Sequence, residues 1–237
     1  MELKCMSFNI QGHAAAGRAD HLPKIAEVIS AAAPDVVGLQ EVHARTSVSA
    51  VHQGEVLASL TGMQLVFGSC FPRDGGAYGN AILTRGTVTH TAVDPLPGSG
   101  EPRAVVSATV AIDGVPLTFC STHLASWGRL LRLSRLVQIS KLLDLVDAAG
   151  EPAVVVGDFN VPPAGEEIAA LLARKSLHLC GDPYETTFPM TGQRLDYILA
   201  SPRWQCLEAT VIRRGPSDHW PILARLTLQP ESGLVVC

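Results

Sequence analysis

Apolar and polar positions alternate from Leu3 to Ile10. In extended geometry Lys4, Met6, Phe8 and Ile10 share one face, and Leu3, Cys5, Ser7 and Asn9 share the other. Gln11-Gly12 ends this strand and leaves Asn9 at its tip. Leu22, Ile25, Ile29 and Ala32 then recur at helical spacing. Asp20 is placed to cap that helix, and Pro23 lies in its first turn, where proline is tolerated. Ala33-Pro34 stops it, because the residue before a proline avoids helical geometry. Val36-Val37-Gly38-Leu39 follows as a short buried strand ending in Gln40-Glu41. Strand, helix and strand predict a crossover unit.

The middle of the chain is richer in strands. A short helix is expected over Glu55–Leu60 and a strand over Met63–Phe67, with Pro72–Gly76 as a flexible loop. Tyr78–Leu83 and Val88–Val93 read as strands, the second β-branched, and Pro95–Pro102 as a turn cluster. Arg103–Ile112 and Val115–Thr122 flank Asp113-Gly114, which predicts a hairpin and places His123 at a strand end. Leu136, Ile139, Leu143 and Val146 define a helix over Arg129–Ala149. Arg129, Arg132 and Arg135 stand at intervals of three near its start, either as a solvated face or as a basic rim.

Ala153–Val156 is four apolar residues without a break, followed by Gly157-Asp158-Phe159-Asn160. A fully buried strand that opens onto two polar residues points its tip at a cleft, or simply ends in an Asx turn. Helix 164–174 and strand Leu177–Cys180 come next. The strand at Arg194–Leu199 has Asp196 at its start and is expected to form a hairpin with Trp204–Arg213. A polar loop, Gly215–Pro221, leads to the closing strand Ile222–Leu228, and the tail after Pro230 is expected to fray. Strands outnumber helices, and the helices sit between groups of strands. Two packed sheets with helices outside fit this order better than a barrel of eight crossovers.

Composition narrows the classes. Of 237 residues 47% are hydrophobic and 17% charged, enough for a sizeable core and too apolar for a disordered chain. A formal charge of -4 argues against a protein that coats nucleic acid, yet not against an enzyme that touches a few phosphates through a cation. None of the six cysteines is at zinc-site spacing, and Cys5 and Cys120 lie in apolar runs as core residues. Met1–Cys5 lacks the basic and apolar regions of a signal peptide, and no segment has the length and apolarity of a membrane span. A cytoplasmic monomer without integral membrane association is the expectation.

The polar residues at strand ends form a list with one chemical theme: Asn9, Glu41, His123, Asp158, Asn160, Asp196, Asp218 and His219. Carboxylates and amides suit a hard divalent ion, Mg²⁺ or Mn²⁺, and such an ion neutralises phosphate oxygens during phosphoester hydrolysis. An Asp beside a His fixes the ring tautomer and raises its basicity. No tight His or Cys cluster suggests an ordinary zinc site. Trp127, between His123 and the long helix, is either a stacking platform for a ligand or a core plug.

These residues stand in motifs: Ser7-Phe8-Asn9-Ile10-Gln11, Gly38-Leu39-Gln40-Glu41-Val42, Gly79-Asn80-Ala81-Ile82-Leu83, Ser121-Thr122-His123-Leu124, Gly157-Asp158-Phe159-Asn160, Arg194-Leu195-Asp196-Tyr197-Ile198-Leu199 and Ser217-Asp218-His219-Trp220-Pro221. In that order and over nearly the whole chain they resemble the endonuclease/exonuclease/phosphatase superfamily, the fold of DNase I and exonuclease III. The resemblance implies one domain built as a four-layer α/β/β/α sandwich. It implies Glu41 as principal metal ligand, with Asn9 and Asp218 beside it, and His219 as the essential histidine paired with Asp196. Asp158 and Asn160 would orient the nucleophile and bind phosphate, and His123 would contact a phosphate oxygen. Asn80, Arg103, Trp127, Arg129 and Arg132 are the candidate substrate contacts. DNA or RNA is the expected substrate. A small soluble phosphoester or a phospholipid headgroup is the alternative, and a nonenzymatic phosphate-binding role a further one.

Overall fold

The computed structural model describes residues 1–15, 21–126 and 128–230. The expected cap at Asp20, the side chain of Trp127 and the tail after Pro230 therefore lie outside the described residues.

Two six-stranded sheets pack face to face. In the first, β11 (Trp204–Val211), β12 (Ile222–Leu228), β1 (Glu2–Asn9), β2 (Val36–Ala44), β4 (Gly76–Thr84) and β3 (Gln64–Arg73) follow one another. In the second the order is β5 (Thr87–Leu96), β6 (Arg103–Ile112), β7 (Val115–His123), β8 (Ala153–Asp158), β10 (Asp196–Ala200) and β9 (His178–Leu179). Each sheet has a single parallel pair, β1 with β2 and β7 with β8; its other pairs are antiparallel. A parallel pair needs a crossover. Helix α1 (His21–Ala32) supplies the first and α3 (Arg132–Ala149) the second.

The alternation along β1 shows why the chain makes four layers. Leu3 and Cys5 enter the cluster between the sheets, where they join Val106, Phe119, Val154, Val156 and Ile198. Met6, Phe8 and Ile10 face the other way, with Ile25 and Ile29 of α1 and Leu57 of α2 (Gln53–Thr61). The second sheet repeats this arrangement. Val105, Cys120, Val155, Tyr197 and Leu199 turn outward against Ile139, Leu142 and Leu143 of α3 and Ile168 and Leu171 of α4 (Glu166–Ala173). A central strand buried on both faces reads as a continuous apolar run, as Ala153–Val156 does.

Three expectations need correction. Trp204–Val211 does not pair with Asp196–Ala200; β11 pairs with β12 in the other sheet. Ser201-Pro202-Arg203 carries the chain across, and the Trp204 amide bonds back to the Ser201 carbonyl. Pro72–Gly76 is not a flexible loop, because β3 and β4 form a hairpin around Asp74-Gly75. Asp74 (φ 48°) and Gly75 (φ 83°) are both left-handed, as are Asp113 (φ 50°) and Gly114 (φ 78°) in the hairpin the sequence does predict. Finally, Glu41 is not at a strand tip. The pairing of β2 with β4 runs past it to Ala44 and is broken by a bulge between Leu39 and Val42.

Candidate active site

Side-chain parity gathers the site. Residues two apart on a strand share a face. Asn9 has the parity of Leu3 and Cys5, His123 that of Phe119, Asp158 that of Val154 and Val156, and Asp196 that of Ile198. All four therefore point between the sheets. His123 and Asp158 are the last residues of parallel neighbours, and Asp196 opens the antiparallel strand that pairs with Asp158. The four meet at one end of the inter-sheet space.

Glu41 reaches the same place by another route. Gln40 already points inward, where its amide donates to Ser121 Oγ at 3.1 Å. A regular strand would send Glu41 outward. Instead Glu41 adopts φ 62° within the bulge, a conformation rare for a residue with a Cβ, and its carboxylate accepts from the Asn9 amide at 3.1 Å. The same amide donates to Asp158 Oδ2 at 3.1 Å, so Asn9 ties the carboxylates of the two sheets together. Gly12 packs on the bulge so closely that a Cβ there would lie 1.9 Å from the Glu41 carbonyl oxygen.

His219 is held by Asp196, whose Oδ2 accepts from Nδ1 at 2.8 Å. Phe188 covers the ring at a centroid distance of 4.7 Å. Nε2 lies 3.7 Å from Asp158 Oδ2. Burial alone would lower the imidazole, but Asp196 and Asp158 outweigh it and push its pKa up to about 10. Burial raises the Asp158 carboxyl, and His219 works against that rise. For Glu41, burial is overcome by His13, by the Asn9 amide and by the His219 charge, which hold its carboxyl down at about 2. Asp218 is shifted upward by burial, and the negative charge of Glu41 adds to the shift.

After Asp158 the chain leaves extended geometry. Asn160 has φ 55°, and its amide N–H donates to Asp158 Oδ1 at 2.9 Å, an Asx turn. The turn and the site coexist, because it swings the Asn160 side chain onto His123, where Nδ2 donates to Nε2 at 3.0 Å and to the Leu124 carbonyl at 3.2 Å. His123 Nε2 also lies 3.5 Å from Asp158 Oδ2, and Nδ1 is buried without a hydrogen-bond partner among the described residues. Burial, reinforced by the Arg103 charge, keeps this ring neutral by moving its pKa well down.

The remaining candidates divide. Arg103 is buried, pairs with Glu101 at 3.0 Å, and contributes positive charge at His123. Asn80 donates to the Ala104 carbonyl at 3.0 Å, next to Arg103. Arg129 is exposed, and Arg132 pairs with Glu166. Arg135 does not continue their row. It is buried against Glu167 and bonds the carbonyls of Ser126 and Gly128, because the helix turns it inward under the loop that follows His123. Sequence reading misses His13, whose Nδ1 lies 3.6 Å from Glu41 Oε2. It also misses the part played by Thr187, whose hydroxyl accepts from the amides of Leu195 and Asp196. No motif announces either.

The sequence profile of the Endonuclease/Exonuclease/phosphatase family matches residues 6–219. The chain belongs to this family. Solved structures share the fold. An endonuclease/exonuclease/phosphatase from Beutenbergia cavernae is 28% identical with a TM-score of 0.83, over 96% of this chain and 72% of that one. The Bacteroides thetaiotaomicron mannosyl-6-phosphatase Bt3783 is 19% identical with a TM-score of 0.77, over 95% and 100%. D. rerio TDP2 in complex with a single-strand DNA product is 20% identical with a TM-score of 0.76, over 95% and 99%. No curated protein matches the sequence. Among the described residues no helix is long and apolar enough to cross a membrane.

The donor set of this family member fits a hard divalent cation. Asp158, Asp196 and His219 each offer a ligand atom within 4.8 Å of the others and could coordinate one. Glu41 and Asp218 add two carboxylates close enough to repel each other. Asp196 Oδ1 is buried without a hydrogen-bond partner among the described residues. Oxygen-rich ligands at this density, with the family's fold, support metal-dependent phosphoester hydrolysis in general.

Proposed function

We propose that the protein is a divalent-metal-dependent phosphodiesterase that cleaves nucleic acid, acting as a cytoplasmic monomer. The observation that carries this reading is the convergence of Glu41, Asn9, Asp158, Asp196 and His219 at one end of the inter-sheet space. Glu41, Asn9 and Asp218 would hold Mg²⁺ or Mn²⁺. Asp196 is less suited to that task, because its Oδ2 is already engaged by His219 at 2.8 Å. The cation would supply charge neutralisation at the phosphate oxygens.

The chain's own groups do the rest. Asp196 fixes the orientation of the His219 ring and, with Asp158, keeps it protonated near neutral pH, so His219 presents positive charge where the phosphate charge grows. Asp158, restrained by Asn9, orients the attacking water; Asn160 sets the His123 ring, which contacts a phosphate oxygen beside Arg103. Arg129 and Arg132, on the side of Asn160, suit the neighbouring parts of a polynucleotide. The DNA product carried by the TDP2 relative agrees with a nucleic-acid substrate. A small soluble phosphoester is the second reading, favoured by the charge of -4.

The test is hydrolysis of bis-p-nitrophenyl phosphate, p-nitrophenyl phosphate, single-stranded, duplex and abasic DNA, RNA, sphingomyelin and inositol phosphates with Mg²⁺, Mn²⁺ or EDTA. Metal-dependent nuclease activity is expected. Full activity in EDTA would overturn the mechanism, and rates confined to lipids or small phosphoesters would overturn the substrate.

A further inference from the structure

A cavity of about 280 Å³ opens beside Asn160. Val161, Pro162 and Leu195 give it apolar lining, and Arg129, Arg132 and Gln193 add planar polar groups. Its framework is hydrogen-bonded. Arg135 and Glu167 form a buried pair behind it, and that pair bonds the Gly128 carbonyl at its edge. The Gln193 carbonyl accepts the amides of Thr187 and Phe188, which fixes the backbone, and its side-chain oxygen accepts from Thr191. The Gln193 amide nitrogen has no partner among the described residues. Arg129 is exposed and has no ion-pair partner among them, and the Arg132 pair involves a largely exposed glutamate.

The contents can be read from these groups. Small-molecule sites begin at roughly 300 Å³, so this cavity takes one ring system rather than two. A sugar would press its hydroxyls against Val161, Pro162 and Leu195 without hydrogen bonds, at a desolvation cost. A hydrocarbon tail would leave the Gln193 amide and the Arg129 guanidinium without partners. A flat heteroaromatic ring satisfies all of them. Its face lies on Pro162, guanidinium planes stack on it, and a side-chain amide bonds its edge. Asn160 lines the cavity and also bonds His123, which places such a ring next to the reacting phosphate.

We infer that this cavity seats the nucleobase adjoining the scissile phosphodiester, and that Gln193 and Arg129 recognise it. The inference rests on the phosphodiesterase reading above and adds a base contact to it. The experiment compares kcat/KM for the p-nitrophenyl esters of thymidine 5′-phosphate and thymidine 3′-phosphate with that for methyl p-nitrophenyl phosphate. It uses the full chain with Mn²⁺, the parent protein, and the folded variants Gln193→Ala and Arg129→Ala. One nucleoside ester is expected to exceed the methyl ester by ~10-fold or more, the scale of one good stacking contact. That ratio should fall toward one in both variants. Equal kcat/KM for nucleoside and methyl esters in the parent, or a ratio that both variants leave intact, would overturn the base site and leave the phosphodiesterase reading standing. Hydrolysis of none of the three would overturn both.

Discussion

Replacing Arg135 should expose how the loop after His123 is held. Its side chain is 6% exposed and that of Glu167 5%. Arg135 Nε donates to Glu167 Oε1 at 3.0 Å, Nη2 lies 2.9 Å from the same oxygen, and Nη1 donates to the Ser126 carbonyl at 2.7 Å. Arg135→Ala strands a buried carboxylate, which costs ~3–5 kcal/mol. The two loop carbonyls add little, because Ser126 and Gly128 are exposed and water can replace the guanidinium there. For a chain of this size ~2–4 °C of melting temperature accompanies each kcal/mol, so the variant should melt ~6–20 °C lower. The double variant Arg135→Met, Glu167→Leu removes the stranded charge and should recover most of that loss. Thermal melts followed by circular dichroism at neutral pH measure both. A single variant within ~2 °C of the parent, or a double variant as unstable as the single one, would refute the reasoning.

Three further outcomes are expected. His219→Ala and Asp158→Ala should keep the parent far-UV spectrum and lose ~10²- to 10⁴-fold in turnover, the scale of a general acid or base; unchanged rates would leave both residues a structural role. Glu41→Gln should raise the Mn²⁺ concentration needed for half-maximal rate, and a titration that overlays the parent's would remove Glu41 as principal ligand. Burial, with help from the Arg73 charge, lowers the His43 imidazole from its ordinary 6.5 to about 4. The unfolded chain therefore takes up the proton first, and this contribution to stability, fully present above pH 6.5, is lost as pH falls toward 4. Urea midpoints of the parent and His43→Gln should converge over that interval, and parallel curves would count against it.

The residues that face each other across the sheets were legible wherever parity and strand ends decide the matter. The alternation of Leu3 to Ile10 names both of its faces, and the dry run at Val154 names Asp158 as the group at its end. Glu41 was legible as a residue but not as a geometry. A bulge is a two-strand event, and nothing in Gly38–Val42 alone says that Glu41 will adopt a left-handed φ opposite β4. The partner of Trp204–Val211 was misread because a hydrophobic pattern fixes which face is buried and leaves the choice of sheet open. Asp74-Gly75 carries the same turn chemistry as Asp113-Gly114, yet the neighbouring Pro72 obscured it. Arg135 looked like its neighbours Arg129 and Arg132 because three-residue spacing drifts around a helix and cannot say which arginine meets a buried glutamate. His13 lies outside every strand, where no period places it.

The shared parity of Asn9, His123, Asp158 and Asp196 acts like a reading frame. The apolar residues that fill the space between the sheets and the polar residues that end it are counted off in the same steps of two. Slipping β8 by one residue against its neighbours would turn Asp158 away from Asn9 and also turn Val154 out of the core. Substitutions can alter the chemistry of this end of the molecule, but a single-residue slip cannot spare the fold while erasing the site. The segment 128–131 lies outside that count, so its length and sequence can change without turning Asp158 or Asp196 away from the space between the sheets.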